Sequence, residues 1–473
     1  MQALPPEGDK CSIRYGGLRV LQAALLDRVS AVTRPKFFRD PLHLQIRFDL
    51  ADEGKRYGAT LLRIIDSGVF QRLRFVRQNG LANLVFHGAE HSRFAHSMGV
   101  MHVARTMYER ISRNMSEPES EDEKFLIQVA GLVHDVGHGP FSHTMEEVLK
   151  ENGVDFHHEN MTKRFILEDG SEIFRLLSDI DPDIPDKLMP FFDKKRRVID
   201  SWQYRIVSSQ MDADRLDYVQ RDALFAGLRG HGFDIERVFD LLFHHENSIA
   251  VDRGAIEAVE AYLVTMDQLY RAIYNHHAVR AATQMLLRLF RRAVKLHQGG
   301  NHSVFPPVLG ASHPMSELLV QGDKIELDKY LRLTDAAMWS LIDVWQFSDD
   351  QILSDLSSRI VGRRLFKTIS IDPIDVAKTQ SLIARAEDEV ARVYGEEARD
   401  YYVMIDEPTR TSYKGYDWRP DTPNESIWLT GGGQAPRPLE DEDENAIVTA
   451  FKQKRHFPRL VLPEEVREAL RKC

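Results

Sequence analysis

The chain has 473 residues, 43% hydrophobic and 28% charged, a balance that excludes intrinsic disorder and leaves room for more than one lobe. Its 62 Lys and Arg against 72 Asp and Glu give a formal charge of -10, so the surface as a whole repels phosphate-rich polymers and a nucleotide ligand needs a locally focused site. Cys11 and Cys473 lie near opposite ends, which supports neither a disulfide framework nor a cysteine metal site and fits a reducing compartment. The opening MQALPPEGDKCSIRYGG lacks the layout of a secretory signal, and no apolar run approaches the roughly 18 residues of a membrane span. A cytoplasmic location without membrane contact is expected.

In chain order, residues 1–39 read as an N-terminal extension carrying the amphipathic stretch LRVLQAALLDRVSAV. HLQIRFDL, residues 43–50, alternates apolar and polar side chains as a strand does, and YGATLLRIIDSGVFQRLRFVRQNG has helical spacing with Gly80 as its stop. From His96 to about Arg292 the pattern is nearly all helix: MGVMHVARTMYERI, EKFLIQVAGLVHDVGH, HTMEEVLKENG, SQMDADRLDYVQRDAL and the long AIEAVEAYLVTMDQLYRAIYNHHAVRAATQMLLRLFRRAV. Apolar residues recur three and four apart in each, which predicts a bundle. Residues 294–320 carry the Gly, Pro and Ser of loops. Helices resume to about residue 345, and an α+β tail follows with KTISI and YYVMI as strands. Residues 407–445, with Pro, Gly and EDEDEN, read as a solvated linker. The predicted fold class is mainly α, a helical bundle with small β elements and an α+β C-terminal region, divided as 1–39, 40–300 and 301–473.

The chemistry concentrates in LVHDVGHGPFSH, residues 132–143. Adjacent His134 and Asp135 can put an imidazole nitrogen and a carboxylate oxygen on one ion, a mixed set suited to Mn, Fe, Zn, Ni or Co better than to Ca. His138 follows His134 by four residues and shares its face on a continuing helix. Gly137, Gly139 and Pro140 then turn the chain before His143. Ser142 stands where an N-cap belongs, and on the next helix His143 and Glu146, three apart, can meet as an acid/base pair. HSRFAHSMG supplies His96 at a helix start. SQMDADRLDYVQRD supplies Asp212, Asp214, Asp217 and Asp222, with Asp214, Tyr218 and Asp222 on one helical face. The bland alternatives are satisfied core histidines and a solvated acidic helix.

Five segments, DPLHLQIRF, FQRLRFVRQNG, FHGAEHSRFAHSMGV, LVHDVGHGPFSHTMEE and DADRLDYVQRD, together resemble the HD-domain deoxynucleoside triphosphate triphosphohydrolases. That family includes the mammalian SAM-and-HD-domain dNTPase and bacterial dGTP triphosphohydrolases. The resemblance runs from about residue 40 to 300, marking this stretch as the HD hydrolase core, with a weaker echo at GRRLFK.

By that resemblance the metal ligands are His96, His134, Asp135 and Asp214. His143 would face the scissile phosphate and its nucleophilic water, and Glu146 with His158 would be the acid/base pair. His157 competes for the last role, which the His-Glu order of residues 158 and 159 assigns to His158. Arg93, His138, Arg215 and Tyr218 match positions that grip the triphosphate, Arg215 standing where the family has lysine and Glu146 where the mammalian enzyme has aspartate. Asp222 shares their helical face. Gln78 and Tyr274 resemble residues that meet the sugar, against the alternatives of a helix-end polar residue and a core aromatic. Asp66 and Arg74 match readers of an activating guanine nucleotide at a subunit interface, and Arg363 with Lys367 matches a neighbouring phosphate cluster; the alternative is a helix cap at Asp66 and solvated cations.

The implied activity is hydrolysis of a deoxynucleoside triphosphate to deoxynucleoside and tripolyphosphate. It would depend on a divalent transition metal, with Mg as an additional ion. The implied biology is dNTP homeostasis or antiviral defence, in a homodimer or homotetramer activated by nucleotide. The competing functions are an HD phosphatase or phosphodiesterase acting on a mononucleotide or signalling nucleotide, and a nucleotide-sensing or nucleic-acid-binding protein; nucleic acid is not predicted as the partner. The chain departs from the mammalian pattern before residue 40, where no SAM domain fits, and after residue 400.

Overall fold

The computed structural model describes residues 34–472 except 51–53, 198, 199, 229, 231, 309–311, 411–425, 434, 442–446, 448–450 and 452–454. The amphipathic stretch predicted within 1–33 and most of the acidic run lie outside the described residues. The elements used below are, in chain order, strands β1 (Lys36–Asp40) and β2 (Leu44–Phe48), and helices α1 (Tyr57–Asp66), α2 (Arg93–Met115), α3 (Glu121–Val133), α4 (His143–Glu151), α5 (His158–Leu167) and α6 (Ala213–Phe225). Strands β3 (Leu242–His245) and β4 (Ser248–Asp252) come next, then α7 (Ile256–Leu269), α8 (His277–Gln298), α9 (Pro314–Gln321), α10 (Asp335–Trp345) and α11 (Gln351–Val361). The chain closes through β5 (Lys367–Ser370), α12 (Val376–Tyr394), β6 (Met404–Asp406), β7 (Trp428–Thr430), β8 (Arg437–Pro438) and β9 (Arg459–Leu462).

The fold is mainly α with small β elements, as predicted. Helix α2 runs through the bundle and packs on both α3 and α6. Its apolar residues Met98, Val100, Met101, Val103, Ala104 and Met107 are all buried, so little of its surface between 98 and 107 meets water. The approach of α2 to α6 is set by Gly99. A Cβ there would overlap the Asp217 carboxylate and the Arg221 guanidinium, so glycine alone lets the two helices close on these buried charges. The strand expected at 43–50 is β2, paired antiparallel with β1. Its turn is pinned by Asp40, whose carboxylate accepts the backbone N–H of Leu42 and of His43, each at 2.9 Å.

Several expectations need correction. The helix predicted to run to Gly80 stops at Ser67, whose backbone is extended and whose hydroxyl caps the next short turn by accepting the Phe70 N–H; a local serine bond outcompetes helical continuation. The nearly all-helical reading of 96–292 misses the β3–β4 hairpin, and the long predicted helix breaks after a π turn at Tyr270–Tyr274. Within 294–320, α8 persists to Gln298 and α9 buries Met315 and Leu318. Residues 426–441 are not a linker. Strand β7 pairs parallel with β4 and antiparallel with β8, burying Ile427, Leu429 and Leu439, an attachment made across some 180 positions that local composition does not reveal. In the tail, KTISI is β5, Tyr401 and Tyr402 of YYVMI are helical, and β6 starts at Met404; β9 lies between β5 and β6.

The HD turn between α3 and α4 is held from outside. Buried Arg72 donates to the carbonyls of Val136 (3.0 Å), His138 (2.5 Å) and Leu333 (2.9 Å), and the Tyr330 hydroxyl donates to the Gly137 carbonyl at 2.6 Å. Asp335 accepts the N–H groups of Arg77 (3.0 Å) and Phe141 (2.8 Å). Short backbone turns satisfy the N–H groups of Val136, His138 and Ser142, and side chains from outside the turn take the carbonyls of Val136, Gly137 and His138 and the N–H of Phe141.

Replacing Gly99 by alanine is expected to destabilise the protein by about 1–3 kcal/mol, the usual cost of overpacking a filled core. Urea denaturation followed by circular dichroism checks this, and an unchanged midpoint contradicts the packing argument.

Candidate metal centre and its cleft

Three helix ends converge. His96 lies in the first turn of α2, His134 and Asp135 follow the last residue of α3, and Asp214 lies in the first turn of α6. Because α3 ends at Val133, His134 and His138 are not on one continuing helix as expected; the turn brings them to the same cleft. His96 Nε2 is 3.0 Å from Asp214 Oδ1 and 3.7 Å from Asp135 Oδ2, and His134 Nε2 is 3.3 Å from Asp135 Oδ1 and 3.8 Å from Asp214 Oδ1. The four residues expected as metal ligands are thus brought together.

The tautomers are set from behind. His96 Nδ1 lies 2.8 Å from Asp217 Oδ1 and His134 Nδ1 lies 2.8 Å from the Gly131 carbonyl, so each ring donates through Nδ1 and turns Nε2 to the cleft, where a proton or a metal ion can sit. Both Nε2 atoms are buried, and despite the nearby carboxylates neither has a well-directed hydrogen bond. A second acceptor on the far ring nitrogen is the usual support of a metal-bound imidazole. Electrostatics agree. Burial disfavours a charged His96, yet Asp214 and Asp217 outweigh it and hold the imidazole protonated up to about pH 10, a sign that this point attracts positive charge. Burial likewise opposes ionisation of Asp135, but Arg93, His134 and His138 keep it well below the usual carboxylate range. His96, His134 and Asp135 each offer a ligand atom within 4.8 Å of the others, and with Asp214 3.0 Å from His96 Nε2 this donor set can hold a divalent metal ion.

Asp217 is the residue that sequence reasoning left without a role. Fully buried, it also takes His43 Nε2 at 2.7 Å and both Nε and Nη2 of Arg221 at 2.8 Å, while Arg221 Nη1 reaches Asp40 at 3.0 Å. The DPLH segment therefore backs the metal centre through Asp40 and His43. Its presence in the sequence, together with the three-residue step from Asp214 to Asp217, was the available signal.

Beside this centre sits a cluster of one carboxylate and three histidines. Glu146 Oε1 lies 2.6 Å from His158 Nδ1 and 3.5 Å from His143 Nδ1, and the His158 ring stacks on His138 with centroids 3.7 Å apart. Burial raises the Glu146 carboxyl, but the two histidines more than offset it and bring it down to about 2. His138 is pushed well below its ordinary value by burial and by Arg93. His157 is exposed and faces Asp155, so of the two candidates His158 is the one beside Glu146. Ser142 takes the N-cap position without capping: its hydroxyl donates to the Arg77 carbonyl and accepts from Arg93 Nε, both at 2.9 Å. Phe141 and Ser142 both carry φ of 55°, a strained pair that aims His143 into the opening.

The cleft encloses about 650 Å³ and is lined by His134, Asp135, His138, His143, His158 and Asp214. Of the substrate-binding candidates, Gln78, Arg93, Arg215, Tyr218, Asp222 and Tyr274 line it too. Arg93 ion-pairs with Asp135, and Arg215 donates to the Ser209 carbonyl. Asp222 joins His91 Nε2 at 2.7 Å to the Tyr274 hydroxyl, so Tyr274 is a wall of the cleft and not a core aromatic alone. Gln78 Oε1 is buried without a hydrogen-bond partner. The four regulatory candidates are elsewhere, none of them lining the cleft. Asp66 is exposed at the end of α1, where Ser67 does the capping. Arg74 lies over the Phe94 ring at 3.6 Å, Arg363 donates to the Leu84 carbonyl, and Lys367 is 3.6 Å from Glu464.

Residues 93–184 match the family model "HD domain" and residues 233–304 the model "HD associated region". Over 432 residues the chain is 33% identical to the uncharacterized protein YwfO of Bacillus subtilis, covering 90% of this chain and 91% of that one. The chain belongs to the HD-domain dNTPase-like phosphohydrolase family. Human deoxynucleoside triphosphate triphosphohydrolase SAMHD1 is 28% identical over 369 residues, which cover 71% of this chain and 55% of the human protein. Among solved structures, a phosphohydrolase of Bacteroides thetaiotaomicron superposes with a TM-score of 0.73 at 22% identity, covering 91% of this chain and 100% of that one. No described helix of this family member is long and apolar enough to cross a membrane.

Changing Asp217 to asparagine is expected to weaken affinity for a divalent transition metal by about 10–100-fold, the usual cost of losing such support. Competition against a chromogenic chelator checks this, with circular dichroism confirming the fold; unaltered affinity contradicts the role of Asp217.

Proposed function

We propose that the protein is a metal-dependent deoxynucleoside triphosphate triphosphohydrolase, releasing deoxynucleoside and tripolyphosphate. The observation that carries this reading is the pair of buried, unpartnered Nε2 atoms on His96 and His134, set between Asp135 and Asp214 in a cleft whose wall presents Arg93, His138 and Arg215. A divalent transition ion, of the Mn, Fe, Zn, Ni or Co class, held by those four residues supplies Lewis acidity toward a phosphoryl oxygen and toward water. An additional Mg travels with the triphosphate.

The chain's own groups do the rest. Arg93, Arg215, Tyr218 and His138 bind the triphosphate, where cations and directed donors offset crowded phosphate charge. His143, whose side chain is 70% exposed to the cleft opening, orients the attacking water at the α phosphorus. Glu146, ionised down to about pH 2, accepts from His158 Nδ1 and leaves the opposite nitrogen of that ring to deliver a proton to the departing 5' oxygen. Gln78 and Tyr274 meet the sugar. The Tyr274 hydroxyl is fixed on Asp222, which is itself fixed on His91, so the ring is a rigid wall against a 2'-hydroxyl. Asp66, Arg74, Arg363 and Lys367 form the nucleotide-activation surface of a homo-oligomer in this reading. dNTP homeostasis or antiviral defence is the matching biological role.

Incubation with each dNTP and rNTP, singly and in pairs, under Mn and under Mg, tests the proposal by product identification. Tripolyphosphate and deoxynucleoside are expected, with turnover falling to background in Asp135→Ala and Asp214→Ala and by at least about a hundredfold in His158→Ala. Pairs that outpace singles report activation. Orthophosphate or a mononucleotide as product replaces this reading with a phosphatase or phosphodiesterase, and full activity in both aspartate variants rejects the metal centre.

A further inference from the structure

The cleft holds a second set of metal-type donors outside the four residues assigned to the first ion. His138, His143, Glu146 and His158 each offer one ligand atom, and these atoms all lie within 4.8 Å of one another. Glu146 Oε1 is the hub, 2.6 Å from His158 Nδ1 and 3.5 Å from His143 Nδ1. His138 and His158 stack at an interplanar angle of 15°, and His143 stands across them, at 85° to the first and 74° to the second. His138 is 2% exposed, and its Nδ1 has no hydrogen-bond partner, an unsatisfied lone pair or N–H in a dry wall.

Three imidazole nitrogens and one carboxylate oxygen form a zinc-type donor set; tetrahedral zinc holds such atoms about 3.3 Å apart. The Glu146 contacts to His158 and His143, at 2.6 and 3.5 Å, bracket that spacing; His143, the exposed member at the start of α4, is free to swing in, and the stacked His138 and His158 rings turn apart when both face one ion. The first centre has the Asp135 carboxylate, Asp214 at 3.0 Å from His96 Nε2 and Asp217 behind it, whereas this cluster contributes a single carboxylate, so a dication binds here more weakly.

We propose that the acid/base cluster is also a second, weaker site for a zinc-like dication, and that an ion bound there blocks hydrolysis by occupying the Glu146–His158 pair. No bond of the substrate is involved; the ion takes the lone pairs that would otherwise carry the proton. Binding follows from the cluster alone, while the block rests on the hydrolase reading above.

The test is stepwise loading of chelator-stripped full-length protein with Zn2+, with metal content read by mass spectrometry after gel filtration and affinities by chromogenic competition. Wild type is expected to take up two ions, the second at least tenfold more weakly. The His143→Ala/His158→Ala double variant should keep the tight ion and lose the weak one, and Glu146→Gln, which preserves side-chain shape, should weaken the second at least tenfold. Asp214→Ala should lose the tight class instead. Saturation of wild type at one ion, or two ions retained by the double variant, overturns the second site. In the Mn-loaded enzyme, turnover should fall as the weak site fills; uptake of the second ion with turnover intact overturns the block while leaving the site in place. Absence of turnover on every nucleotide would count against the hydrolase reading, and the stoichiometry would still decide the second site.

Discussion

The arrangement depends on one buried hydrogen bond, from His96 Nδ1 to Asp217. Both groups are fully buried, and the bond does two things at once. It fixes which nitrogen of His96 faces the cleft, and it places a negative charge behind a ring that must stay electron-rich. An uncompensated carboxylate at this depth would be prohibitive, so the fold surrounds it: Arg221 from the same helix, His43 from the turn after β1, and Asp40 closing the far side of Arg221. Gly99 is the steric counterpart, because nothing larger would let α2 approach the charge cluster.

The HD turn follows the same logic on the opposite wall. A segment that must present His134, Asp135, His138 and His143 within a few residues cannot be helical throughout, and its freed backbone groups need partners. Arg72, Tyr330, Asp335 and Thr162 provide them, each from an element remote in sequence. The turn is therefore held by side chains that lie outside it in sequence. The strain at Phe141 and Ser142 persists because this surround overdetermines the turn.

Much of this was legible in the sequence. The bundle helices were readable from apolar spacing, and the family resemblance carried by five motifs picked out His96, His134, Asp135 and Asp214, which the fold brings together. What was not legible depends on distant partners. Strand β7 contributes three residues to a sheet whose other half lies before residue 253, so its composition read as linker. Ser67 ended a helix that periodicity extended to Gly80, because a single hydroxyl bond decides such a boundary. Asp217 was visible as one acid among several on α6, but only packing against α2 and the β1–β2 turn distinguishes a buried anchor from a solvated charge. The spacing of His134 and His138 gave the right neighbourhood for the wrong reason, since a turn and not a helix joins them.

The most direct test of the account is an anomalous difference map from crystals grown with a divalent transition metal and measured at that metal's absorption edge. The account predicts a strong peak within coordination distance of His96 Nε2, His134 Nε2, Asp135 and Asp214, with His96 Nδ1 still on Asp217. A fully loaded protein whose strongest peak lies away from these four groups, or a His96 ring turned so that Nε2 meets Asp217, would contradict it.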